Sequence, residues 1–102
     1  MATFELAAAT DEIPDGGRKS IFVDDLPALL VRVGDVYYAI EDLCTHDGGP
    51  LTTGAVCDGA IRCPRHGARF DLKTGKALCM PATVGVRTFP VERREDGIYV
   101  GC

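Results

Sequence analysis

The sequence predicts an all-β chain folded as an antiparallel β sandwich or barrel, and three observations point that way. Short apolar runs rich in Val, Ile, Tyr and Phe recur along it, separated by turn signals about every eight to twelve residues. Gly and Pro, 12 and 6 of the 102 residues, are spread through the chain as punctuation and do not collect in one linker. The one helix-like stretch, Leu6 to Glu12, holds three consecutive alanines but is too short to be a stable helix alone.

Taken in order, Ile13-Pro14-Asp15-Gly16-Gly17 separates "TFELAAA" from "SIFVDD". "PALLVRV" and "VYYAI" flank Gly34-Asp35, the signal of a tight hairpin. "GAVC" and "AIRC" flank Asp58-Gly59, a second hairpin whose returning strand delivers Cys63. "ARFDL" and "KALCM" around Lys73-Thr74-Gly75 predict a third, and "VRTFPVERR" and "IYVG" around Glu95-Asp96-Gly97 a fourth. No internal repeat or low-complexity tract interrupts this series.

With 102 residues the chain is expected to form a single domain, residues 1–102, burying roughly 60–65% of its unfolded surface, so a group crosslinking two loops would help it. A net charge of −4 and a pI near 5.0, with no basic run beyond Arg93-Arg94, exclude a nucleic-acid footprint. No apolar run reaches the ~18 residues of a membrane helix, and the acid-bearing start does not resemble a signal peptide. The expectation is a cytoplasmic protein with no membrane contact. Five cysteines in a reducing compartment then read as a metal or catalytic site, not as a disulfide framework.

The chemistry concentrates in two stretches, "CTHDGGPL" at 44–51 and "CPRHGARF" at 63–70, which hold the only two histidines. The spacing is Cys44-x-His46, sixteen residues, then Cys63-x-x-His66. Two thiolates and two imidazoles suit zinc or an iron–sulfur cluster. A zinc finger usually puts its Cys pair in one element and its His pair in another, whereas here each loop offers one of each. That mixed order suits a cluster of two unlike irons, each loop reaching both. Pro64 stiffens the second turn, and Gly48, Gly49 and Gly67 permit close backbone approach.

These four residues, with "CTH", "CP-H", "FDLKTGKAL" and "PATVGVRTFPV" around them, resemble Rieske-type iron–sulfur proteins from about residue 19 to the C-terminus. The resemblance implies a Rieske-like antiparallel fold with a small cluster-binding subdomain of two loops and a hairpin, residues 43–70, inserted in the β scaffold. It implies a Rieske 2Fe–2S cluster with Cys44 and Cys63 on the inner iron and His46 and His66 on the outer one. High-potential relatives carry an extra disulfide-bonded cysteine in each loop, at the places of Gly49 and Arg65. They also place a serine and a tyrosine at the positions of Ala68 and Phe70. Without those hydroxyl donors to sulfur, the potential is expected nearer about −150 mV than +300 mV.

The chain is therefore similar to the free Rieske ferredoxins of multicomponent aromatic-ring-hydroxylating dioxygenases. Both histidines are used, so none is left for a 2-His-1-carboxylate oxygen-activating site, and the expectation is an electron carrier and not an enzyme. The implied partners are a flavoprotein ferredoxin reductase that draws on NAD(P)H and a terminal Rieske non-haem iron oxygenase, with the carrier a monomer. Two other readings stay open: the small subunit of an assimilatory nitrite reductase, and a zinc-stabilised interaction module.

Of the remaining candidates, Cys57 and Cys79 read as small buried hydrophobes and Cys102 as an exposed thiol. Pro81-Ala82-Thr83 resembles the loop that covers the cluster in the family, or is an ordinary turn. Pro50 and Leu51 are either an apolar collar at His46 or, for Leu51, core. Asp11, Glu12, Asp24, Asp25, Glu41, Asp42 and Asp47 are expected to be a solvated acidic surface, Asp47 beside His46 steering a basic partner.

Overall fold

A computed structural model of the chain describes residues 3–80 and 82–101, so the expectations for Pro81 and Cys102 lie outside the described residues. Eleven strands alternate with turns, and there is no helix among the described residues. They are β1 (Phe4–Ala8), β2 (Arg18–Val23), β3 (Leu26–Val33), β4 (Val36–Glu41), β5 (Val56–Cys57) and β6 (Ala60–Arg62), followed by β7 (Arg69–Asp71), β8 (Ala77–Cys79), β9 (Thr88–Phe89), β10 (Val91–Arg94) and β11 (Gly97–Gly101). The alanine-rich stretch forms β1 as far as Ala8 and then turns.

All strand pairs are antiparallel, in three sheets ordered β1-β11-β10, β2-β3-β4-β9 and β5-β6-β7-β8. The second sheet is central. Ala28 and Leu30 of β3, with Tyr37 and Ala39 of β4, face Ala8, Ile98 and Val100 of the first sheet. Leu29 and Val31, with Ile40, face Ile61 and Phe70 of the third. This two-sided burial explains why β3 reads "ALLV" without polar alternation. Leu51 joins the second of these cores, fully buried, while Pro50 is exposed.

The hairpins follow their turn residues. Cys57 pairs with Ala60 across Asp58-Gly59, both at positive φ (54° and 73°), as a type I′ turn requires. Val23 and Leu26 pair across Asp24-Asp25, which adopt the same conformation (52° and 67°) without a glycine, a turn the dipeptide signals do not mark. Gly75 (φ 78°) closes the β7–β8 turn, where a Cβ would meet the Val86 carbonyl at 2.1 Å.

One expectation about the cysteines is corrected. Cys57 and Cys79 are both exposed, because β5 and β8 are the two edges of the third sheet and their side chains have no layer above them.

Candidate metal centre

The two loops that carry the Cys–His pairs join β4 to β5 and β6 to β7. They share one backbone design. The Cys44 N–H donates to the Gly49 carbonyl (2.7 Å), and the Cys44 carbonyl accepts from Gly48 (2.7 Å). Likewise the Cys63 N–H donates to Ala68 (2.6 Å), and its carbonyl accepts from Gly67 (3.1 Å). Gly48 and Gly67, each four residues past its cysteine, both stand at positive φ, 75° and 78°. Glycine adopts this conformation with no steric cost from a Cβ, so the glycine after each Cys–His pair eases the closing of the loop.

Both sulfurs point inward: Cys44 is 0% and Cys63 1% exposed, each packed in the core with Leu51, Ala68 and Phe70. Burial pushes the Cys44 thiol up, and the neighbouring Cys63 adds to the effect. Burial acts on Cys63 in the same sense, but the backbone N–H groups of Arg65 and His66 outweigh it and its pKa falls. Backbone amides two and three residues on (His46 and Asp47; Arg65 and His66) serve each sulfur and favour its thiolate.

The imidazoles lie outside the sulfurs. His46 and His66 are exposed, with ring centres 5.1 Å apart and planes at 86°, and the His66 side chain is 55% accessible. Donor atoms of Cys44 and Cys63, and separately of His46 and His66, each with an Asp47 oxygen, fall within 4.8 Å of one another. The structure thus brings together all four residues that the sequence singled out. A buried pair of soft sulfurs below an exposed pair of imidazoles fits a 2Fe–2S cluster with unlike irons.

Hydrogen bonds to Asp42 and from Thr45 brace the first loop. The Asp42 carboxylate accepts from the Leu51 N–H (2.6 Å) and the Thr52 hydroxyl (2.6 Å), and the Thr45 hydroxyl donates to the Val84 carbonyl. Asp42 is therefore a staple at the base of the loop and not a solvated acid. Asp47 also departs from expectation. Its side chain, 17% exposed, is engaged by Arg65, which holds the carboxyl far below the usual carboxylate range, with the Gly49 N–H adding to the effect. A charge neutralised in this way does not steer a basic partner. Spacing alone gives no signal for this pair, which spans eighteen residues.

The Rieske [2Fe-2S] domain family matches residues 3–90. A 3-phenylpropionate/cinnamic acid dioxygenase ferredoxin subunit from Photorhabdus laumondii is 41% identical over 92 residues, 88% of this chain and 86% of that protein. The ferredoxin of carbazole 1,9a-dioxygenase from Nocardioides aromaticivorans superposes with a TM-score of 0.91 at 33% identity, covering 96% of both chains. A complex of reduced oxygenase and oxidised ferredoxin from carbazole 1,9a-dioxygenase contains a similar chain, with TM-score 0.87, 35% identity, and coverage of 95% and 91%. A candidate nitrite reductase small subunit from Mycobacterium tuberculosis, at 24% identity and TM-score 0.89 over the whole of this chain and 96% of its own, shares the fold alone. The chain belongs to the Rieske [2Fe-2S] domain family, and within it to the ferredoxins: it is an electron carrier built around a 2Fe–2S cluster and not an enzyme.

Proposed function

We propose that Cys44 and Cys63 hold one iron of the cluster as thiolates and that His46 and His66 hold the other through ring nitrogens. The convergence of four donors, sulfurs buried and imidazoles exposed, carries this assignment. When bound, the cluster supplies a one-electron couple. The chain's own residues do the rest: Leu51, Ala68 and Phe70 keep water from the sulfurs, backbone amides favour the thiolates, and the exposed histidines bring the redox centre to the surface where a partner docks.

The electron is received from a flavoprotein ferredoxin reductase and passed to the terminal Rieske non-haem iron oxygenase of an aromatic-ring dioxygenase. What supports this reading is that similar chains are dioxygenase ferredoxin subunits and that one is found with its oxygenase. The whole chain acts as one Rieske domain, with residues 43–70 as its ligand-bearing subdomain, as a monomer in the cytoplasm. No helix among the described residues is long and apolar enough to cross a membrane. Ala68 and Phe70, both buried, bring no hydroxyl to the sulfurs, which supports a potential at the low end of the Rieske range.

The test is reconstitution with reductase and oxygenase. Product should form only when this protein is added, and H66A should abolish turnover together with the visible spectrum. A colourless, zinc-loaded protein would overturn the ligand reading, and a midpoint well above zero would overturn the low-potential reading.

A further inference from the structure

The two loops share a backbone design but no backbone hydrogen bond: among the described residues, none joins 44–51 to 63–68. The link between them is a side chain. Arg65 of the second loop donates from Nε to Asp47 Oδ2 (2.5 Å), from Nη2 to Oδ1 (3.0 Å) and from Nη1 to the Pro50 carbonyl (2.8 Å). Both oxygens of Asp47 are used, and Oδ1 also accepts the Gly49 N–H (2.9 Å) within the first loop. This is a bidentate, planar pair with a third bond to backbone, the arrangement in which arginine is not replaceable by lysine.

Space has been left for it. A Cβ on Gly49 would stand 2.6 Å from Arg65 Cζ, so any side chain there would displace the guanidinium. The pair also lies against the metal-binding donors, with Asp47 Oδ2 3.4 Å from His66 Nδ1 and 4.0 Å from Cys63 Sγ. A carboxylate this close to a sulfur ligand opposes added negative charge, and the guanidinium beyond it favours that charge.

We infer that Asp47 and Arg65 are positioning residues, a polar clasp that keeps the two ligand loops closed on the cluster and whose opposite charges bias its potential. The inference rests on the ligand assignment proposed above. The clasp is partly open to solvent, 17% and 34% exposed, so its hold weakens as salt rises.

The test uses the loaded protein and its R65Q, D47N, R65K and D47N/R65Q variants, with two readouts that need no oxygenase: cluster release to a chelator and the midpoint potential. R65Q and D47N should each release the cluster about tenfold faster, with a weaker salt dependence than wild type. Their midpoints should move in opposite directions, R65Q downward and D47N upward, and the double variant should return towards wild type. R65K, which keeps the charge but not the fork, should hold the midpoint while releasing faster. An R65Q chain that folds but takes up no cluster is the extreme of the expected loss. An R65Q chain unfolded even without cluster points to a general folding role and overturns the proposal. So do midpoints that move in the same direction, or release rates equal to wild type. A wild type that takes up no 2Fe–2S cluster sinks the ligand assignment itself, whereas a loaded wild type with unmoved variants sinks the clasp alone.

Discussion

The two faces of the central sheet carry cores of different construction. The face away from the loops buries Ala8, Val23, Leu30, Phe89, Ile98 and Val100, mostly from strands paired along their length. The face towards them buries Leu29, Val31, Ile40, Ile61 and Phe70, but also Cys44, Leu51, Cys63, Ala68, Ala82 and Val86, which lie outside the strands. The first core is closed almost entirely by paired strands, with Ile13 the one buried member from a connecting segment. The second is closed in part by loops, and it buries Cys44 and Cys63 side by side with its apolar residues. The scaffold is thus separated from the part that depends on its cofactor, and the sheet between them serves both.

Removing a ligand is the largest perturbation of this arrangement. If Cys63 is a ligand as proposed, C63S should abolish the visible spectrum, since one iron loses one of its two cysteine thiolates. Hydrogen exchange then distinguishes the two cores: amides of β6 and β7 should lose protection, while those of β1 and β11 keep theirs. Equal loss on both faces would show that the cores fold as one unit and that the contrast drawn above is wrong.

Next in size are truncations within each core. Phe70 and Leu30 are both 0% exposed, so F70A should cost about 3–5 kcal/mol and L30A about 2–5 kcal/mol in chemical denaturation. They should differ in what else changes. Phe70 shares its core with Cys44 and Cys63, and F70A should also hasten cluster release, whereas L30A should leave the release rate at the wild-type value.

A smaller effect is expected from two glycines that share a backbone conformation but not a neighbourhood. Gly75 at φ 78° has the Val86 carbonyl 2.1 Å from where a Cβ would sit, while Gly34 at φ 62° has open space. G34A should cost about 1 kcal/mol for conformation alone, and G75A clearly more, because the loop carrying Val86 must shift. Thermal midpoints of the two variants, measured side by side, check the difference.

Much of this was legible in the sequence, and what was not has a physical reason. Gly34-Asp35 and Asp58-Gly59 marked their hairpins because positive φ requires such residues. Asp24-Asp25 makes the same kind of turn, but aspartate tolerates that conformation without signalling it. The meeting of Cys44, His46, Cys63 and His66 was readable because each loop repeats a closely spaced Cys–His pair, a spacing that ordinary core packing does not require. The exposure of Cys57 and Cys79 was not, since a strand's sequence does not state whether it lies at the edge of its sheet. Nor were the Asp42 staple and the Asp47–Arg65 pair. Each is made by ordinary polar residues whose partners lie nine or more positions away, and only the folded backbone selects among the possible partners.

The smallest predicted effect compares one carboxylate from each side. On the cofactor side, Asp71 accepts from the Thr74 hydroxyl and N–H (2.8 Å each) in the β7–β8 turn, and these bonds, the hydroxyl first, lower its pKa. On the far side, Glu12 pairs with Lys19 (2.7 Å) and accepts from the Ala9 N–H, and its pKa is lowered mainly by the lysine. Both folded pKa values lie below the unfolded ones, so each carboxylate stabilises the fold above the unfolded pKa of about 4, and that stability is lost as pH falls through the folded value. D71N and E12Q should therefore each be less stable than wild type at neutral pH, with the gap closing as pH falls through the folded pKa values. Salt should separate them. Asp71 is held by neutral donors, so the D71N gap should persist at about 1 M salt, while the E12Q gap, resting on an exposed ion pair, should largely vanish there. If both gaps respond to salt alike, Asp71 is held by its charge and not by its turn.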